Sequence, residues 1–125
     1  MKARQIVVIV AVCFFILAEV CLVNPLPAQT SSITLTAKLT IKAGKEKEFE
    51  TLMKGIVPKV RQEPGNRMYT MCRSKDNPRV FVFFEEYADQ AAVQAHGKHL
   101  RELGLDIAAY LDGPVVAEYL EKIAD

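Results

Sequence analysis

A chain of 125 residues with sixteen Lys and Arg against fifteen Asp and Glu excludes a large multidomain enzyme. The two signs alternate along the chain to a net charge of +1, so no basic face marks a nucleic-acid partner. Half of the residues are hydrophobic, a share raised by the N-terminus, and there is no tryptophan.

Lys2 and Arg4 open the chain, Ile6 to Ala18 forms an apolar run broken by Glu19, and Pro25, Pro27 and Ala28 precede a polar Gln29-Thr30-Ser31-Ser32. This pattern predicts a secretory signal over residues 1–28, with cleavage after Ala28 and a mature domain over 29–125. The expected location is therefore periplasmic or secreted. The run is short for a membrane span, so no membrane contact is expected beyond this segment, although an uncleaved anchor is the alternative. Cys13 and Cys21 fall within it. Cys72 is then the single mature cysteine, a small apolar residue on a strand, and no internal disulfide can form.

Ile33, Leu35, Ala37, Leu39 and Ile41 alternate with threonines and lysines, which predicts a strand with one apolar face. Phe49, Leu52, Met53, Ile56, Val57 and Val60 recur at helical spacing. Pro58 should kink this helix or end its regular part. Glu63-Pro64-Gly65 reads as a turn, and Asn66–Lys75 as a second strand. Arg79–Tyr87 returns as the other arm of a hairpin. Its run Val80-Phe81-Val82-Phe83-Phe84 suits a central strand buried on both faces. Asp89 is a good helix N-cap, and a small-residue helix follows from about Ala88 towards Leu103. Leu105–Leu111 adds a helical turn or two, Gly113-Pro114 stops it, and Val115–Leu120 is a last strand.

The order β-α-β-β-α-β predicts an α+β, ferredoxin-like fold with an antiparallel sheet and both helices on one face. The other face would leave apolar side chains in water. A two-fold dimer packed sheet to sheet, closing an α/β barrel, is the expected solution.

The chemistry concentrates between Glu85 and His99. Glu85 and Glu86 lie on opposite strand faces, so one points inward. A carboxylate among phenylalanines has its charged form disfavoured, as functional acids often do, though a structural acid is the equal alternative. Ala92, His96, His99 and Leu103 share a helix face, and the alanines leave room for a pocket. The histidines could equally cap the edge of the core. Tyr69 and Tyr87 could hydrogen-bond a phenolic ligand or simply pack at strand ends. His96-x-x-His99 lacks a visible third ligand, so no metal is expected. No nucleophile elbow, phosphate loop or Cys-x-x-Cys is present.

Several stretches together resemble the antibiotic biosynthesis monooxygenase (ABM) family, including its small quinol monooxygenase-like members. They are Ala37-Lys38-Leu39 with Lys42-Ala43-Gly44-Lys45, Ile56-Val57-Pro58, Glu63-Pro64-Gly65-Asn66 with Tyr69, Phe81 to Tyr87, and Ala95-His96. The resemblance spans residues 33 to about 121. It implies a dimeric α/β barrel and oxygenation of a hydroquinone-like or polycyclic phenol by dioxygen, with no metal, flavin or haem. In that reading His96 is the base or proton relay, Glu85 orients it, and Asn66, Tyr69, Tyr87 and His99 position substrate. Family sequences often place a second histidine five residues after the first, where this chain has His99 three after. Haem-degrading relatives use a tryptophan that this chain lacks. A non-catalytic exported dimer that binds a small apolar ligand, or an isomerase on the same fold, are the alternatives.

Overall fold

A computed structural model describes residues 31–124, and the expected signal segment lies outside them. Strand β1 (Ile33–Thr40) is followed by helix α1 (Glu46–Val60), strands β2 (Asn66–Arg73) and β3 (Val80–Tyr87), helix α2 (Gln90–Glu102) and strand β4 (Val116–Leu120). The strands form one antiparallel sheet in the order β2-β3-β1-β4. This is the βαββαβ ferredoxin-like arrangement that the element order predicts.

Alternation decides which side chains meet the helices. Leu35 and Leu39 of β1, Tyr69 of β2, and Phe81, Phe83, Glu85 and Tyr87 of β3 are buried. They share one face, because Leu35 pairs with Glu85, Leu39 with Phe81, and Tyr69 with Glu85. Helix α1 lays Phe49, Met53, Ile56, Val57 and Val60 against Leu39, Ile41, Phe81 and Phe83 as one core cluster. The Phe49 and Phe81 rings meet edge to face at 5.1 Å, an arrangement their quadrupoles favour.

Three details differ from the sequence reading. The β3 run buries one face only: Phe84 is 41% exposed, and Cys72, which shares its face, is exposed too. The continuous apolar run therefore marks a sheet with an uncovered side within this chain. Of the two outcomes expected at Pro58, a kink or an end to the regular helix, the helix does not end there and continues to Val60. Pro58 sits on the exposed side, so the carbonyl it leaves unpaired, that of Lys54, faces solvent. After α2 the chain makes a single 3₁₀ turn, Ile107–Ala109, where up to two helical turns were expected.

The α1–β2 turn is fixed to α2 by a close approach. Gly65 has φ +85°, a left-handed conformation that suits glycine. A Cβ there would lie 2.7 Å from the Ala92 Cβ. The Gly65 carbonyl accepts the Ala88 N–H at 2.8 Å. The start of α2 and the turn carrying Glu63 are thus held together.

Candidate active site

The buried face of β3 changes character along its length. Phe81 and Phe83 belong to the apolar core, and Glu85 and Tyr87 continue the same face. Pairing places Tyr69, Glu85, Leu35 and Tyr119 in one row across the four strands. The next row holds Met71, Phe83, Ala37 and Ala117, and its two alanines leave space beside Phe83. Above these rows α2 presents Val93, His96 and Leu100 at spacings of three and four. Between them lies a cavity of about 250 Å³, whose lining includes Leu35, Ala37, Phe83, Leu100, Glu85 and His96.

Helix α2 is positioned by its cap. The Asp89 carboxylate accepts the Ala92 N–H at 2.8 Å, as expected for an N-cap aspartate. That fixes the helix start and sets His96 two turns on, buried against the rings of Tyr69 and Tyr87 at centroid distances of 5.3 and 5.4 Å.

Glu85 is the inward acid, and Glu86 lies on the open face, where Lys122 reaches it at 3.2 Å and Arg67 at 3.7 Å. The Tyr87 hydroxyl donates to Glu85 Oε2 at 2.7 Å. Burial pushes the Glu85 carboxyl above its ordinary range, with the Tyr87 bond, the His96 ring and the Glu63 charge as smaller influences. Burial and the Glu85 charge also push both the Tyr69 and Tyr87 phenols upward. Both therefore remain protonated donors at neutral pH.

Sequence reasoning expected Glu85 to orient His96. That contact is made by Glu63 instead. His96 Nδ1 lies 3.0 Å from Glu63 Oε2, and His99 Nδ1 lies 2.6 Å from Glu63 Oε1. One carboxylate, with its side chain 8% exposed, thus bridges both histidines. Glu63 is 33 residues from His96 along the chain, and its sequence neighbours spell only a turn. Its place immediately before Pro64-Gly65, a turn that must dock on α2, was the available signal.

The remaining candidates separate. Tyr69 lines the cavity, while Tyr87 is fully buried behind it and reaches it through Glu85. His99 lines an outer groove with Lys59, Gln62, Glu63, Ala95 and Glu102. Asn66 stands beside Arg61 and Arg67 in a surface hollow, where its amide bonds the Met68 carbonyl at 3.3 Å. Among the described residues, no group of three or more His, Cys, Asp or Glu side chains is arranged to hold a metal ion.

The family model for antibiotic biosynthesis monooxygenases matches residues 32–101. The chain belongs to the ABM family. It is 30% identical over 66 residues to "Putative monooxygenase YcnE" of Bacillus subtilis, covering 53% of this chain and 70% of that one. The crystal structure of PA3566 from Pseudomonas aeruginosa superposes with a TM-score of 0.68 at 23% identity, over 77% of this chain and 98% of that one. A Caulobacter crescentus structure described as a "putative antibiotic biosynthesis monooxygenase" has the same TM-score at 29% identity, over 77% and 93% of the two chains. The match covers β1 through almost all of α2, so every residue of the Glu63–His96–Glu85 constellation lies inside the ABM domain.

Proposed function

We propose that this ABM-family chain is an exported, cofactor-independent monooxygenase that oxygenates a hydroquinone with dioxygen. The observation that carries the reading is a buried histidine set in the wall of a mostly apolar cavity beside a buried acid. A volume of about 250 Å³ favours a one-ring substrate over a polycyclic one, since a cavity of about 150 Å³ already accepts benzene. The Tyr69 phenol and the Glu85 carboxyl supply polar contacts for the two ends of a hydroquinone.

In this mechanism His96 takes a proton from the bound hydroxyl. The electron-rich phenolate gives one electron to dioxygen, and the resulting radical pair combines to form a ring carbon–oxygen bond. The imidazolium returns its proton to the outer peroxide oxygen. His96, neutral again, takes the hydrogen of the ring carbon that bears the peroxide, and the C–H electron pair forms the new C=O as the O–O bond breaks. The outer oxygen leaves as hydroxide and takes up that proton as water, and the inner oxygen atom stays in the hydroxyquinone. The apolar wall keeps bulk water from quenching the phenolate.

The mature chain acts as a two-fold dimer in this proposal. Phe84, Met68, Val116 and Leu120 are exposed on the sheet face away from the helices, an apolar patch that a second copy would cover. Tyr119, 65% exposed at the cavity rim, lies on the opposite, helix-facing side of the sheet, outside this patch. Light scattering on residues 29–125 should give twice the monomer mass, and a monomer would remove the dimer.

The test of the reaction is oxygen uptake by the purified mature protein, without added metal or flavin, across a panel of substituted hydroquinones. Saturable uptake above autoxidation supports the reading. Uptake equal to autoxidation, with the same compounds still raising Tm, would replace it with a non-catalytic ligand-binding protein.

A further inference from the structure

We infer that Glu63 is the positioning residue that makes His96 a base. It fixes the His96 ring as the Nδ1–H tautomer, turns the Nε2 lone pair to the cavity, and stabilises the imidazolium formed when Nε2 takes a proton. The mechanistic part of this inference rests on the oxygenase reading above, whereas the tautomer does not.

The geometry is specific. Both oxygens of Glu63 lie within hydrogen-bond reach of His96 Nδ1, at 3.2 and 3.0 Å. A carboxylate only accepts, so Nδ1 must carry the proton. The other ring nitrogen, Nε2, makes no hydrogen bond to any described residue. No buried side-chain nitrogen or oxygen among the described residues lacks a partner. Nε2 is therefore not sealed in the core, and the space that His96 lines is the apolar cavity. The Tyr69 and Tyr87 rings pack against the His96 ring at tilts of 52° and 43° and restrict its plane, while Glu63 fixes its rotation.

Glu63 is itself held. His99 Nδ1 donates to Oε1 at 2.6 Å from the outer groove, and Gly65 ties the turn to α2. The carboxylate is thus placed from the solvent side and acts towards the cavity side. This gives His99 a role one step removed from substrate: it buttresses Glu63.

An unconstrained histidine side chain favours a proton on Nε2, so the bias imposed by Glu63 can be observed without any substrate. Nitrogen-15 NMR of the mature protein, at a pH where the rings are neutral, should show His96 with Nδ1 protonated and Nε2 bare. Glu63→Ala removes the acceptor and should move His96 to a tautomer mixture or to Nε2–H. Glu63→Gln keeps an acceptor oxygen but removes the charge, so the tautomer should persist. With a hydroquinone that is turned over, kcat should fall about tenfold in Glu63→Gln and about a hundredfold in Glu63→Ala, with KM changing by less than about twofold. A purely structural role would not move the tautomer. An Nε2–H His96 in the unsubstituted protein, or an unchanged tautomer in a folded Glu63→Ala, would overturn the inference. If the alanine variant fails to fold, the spectrum of the unsubstituted protein decides. If no hydroquinone is consumed, the oxygenase reading falls and the spectrum still judges the tautomer.

Discussion

Two halves of the same strand face carry opposite physical assignments. Phe81 and Phe83 sit in a cluster whose members gain by leaving water. Glu85 and Tyr87, further along the same side of β3, are as deeply buried but bring a carboxyl and a phenol with them. The second pair is tolerated because no buried side-chain nitrogen or oxygen among the described residues lacks a partner: the Tyr87 hydroxyl donates to Glu85 Oε2, and the adjoining His96 bonds Glu63 through Nδ1. Equal burial thus stabilises at one end of the strand and tunes protonation at the other.

Substitutions at the two ends should separate these effects. The largest loss is expected from Phe81→Ala, which removes a fully buried ring from contact with Phe49. It should cost about 3–5 kcal/mol in urea unfolding, through lost burial and the cavity left behind. Gly65→Ala strikes the joint between the halves. A left-handed backbone and the 2.7 Å approach to Ala92 should together cost about 2 kcal/mol. It should also misplace Glu63, so that activity falls even where the protein remains folded.

The smallest effect, and the one that sharpens the contrast, is Glu85→Gln. Burial raises the folded-state pKa of Glu85 above its unfolded value. The folded state therefore holds its proton more tightly, and this contribution is fully present below the ordinary carboxylate range. It is lost as pH rises through the raised pKa. Thermal melts of the unsubstituted protein should fall across that window. Glu85→Gln should flatten the fall and raise Tm by a few degrees at neutral pH, because glutamine keeps an acceptor for Tyr87 without a charge. Phe81→Leu keeps Glu85 and should therefore retain the pH dependence of the unsubstituted protein, shifted to lower Tm at every pH.

Most of the fold was legible because it depends on local patterns. Period-two alternation at Ile33 to Ile41, helical spacing from Phe49 to Val60 and the Asp89 cap each express themselves within a few residues. The face of β3 was harder, since an unbroken apolar run does not reveal which side the helices cover. Phe84 turned out to belong to the uncovered side. The candidate site was legible in its helix and strand members, His96, Glu85, Tyr69 and Tyr87. Glu63 was not, because its bond to His96 closes a long loop and its sequence neighbours spell a turn. Asn66 was named on the strength of the resemblance, yet its side chain stands in a different hollow from the cavity.

The most direct test of the central claim is oxygen uptake with a one-ring hydroquinone, comparing the unsubstituted mature protein with His96→Ala. Autoxidation is subtracted, and folding of both proteins is checked by their melts. Saturable uptake that falls about a hundredfold or more in the variant is the expected result. Equal rates in the two proteins would contradict it and remove His96 from the chemistry.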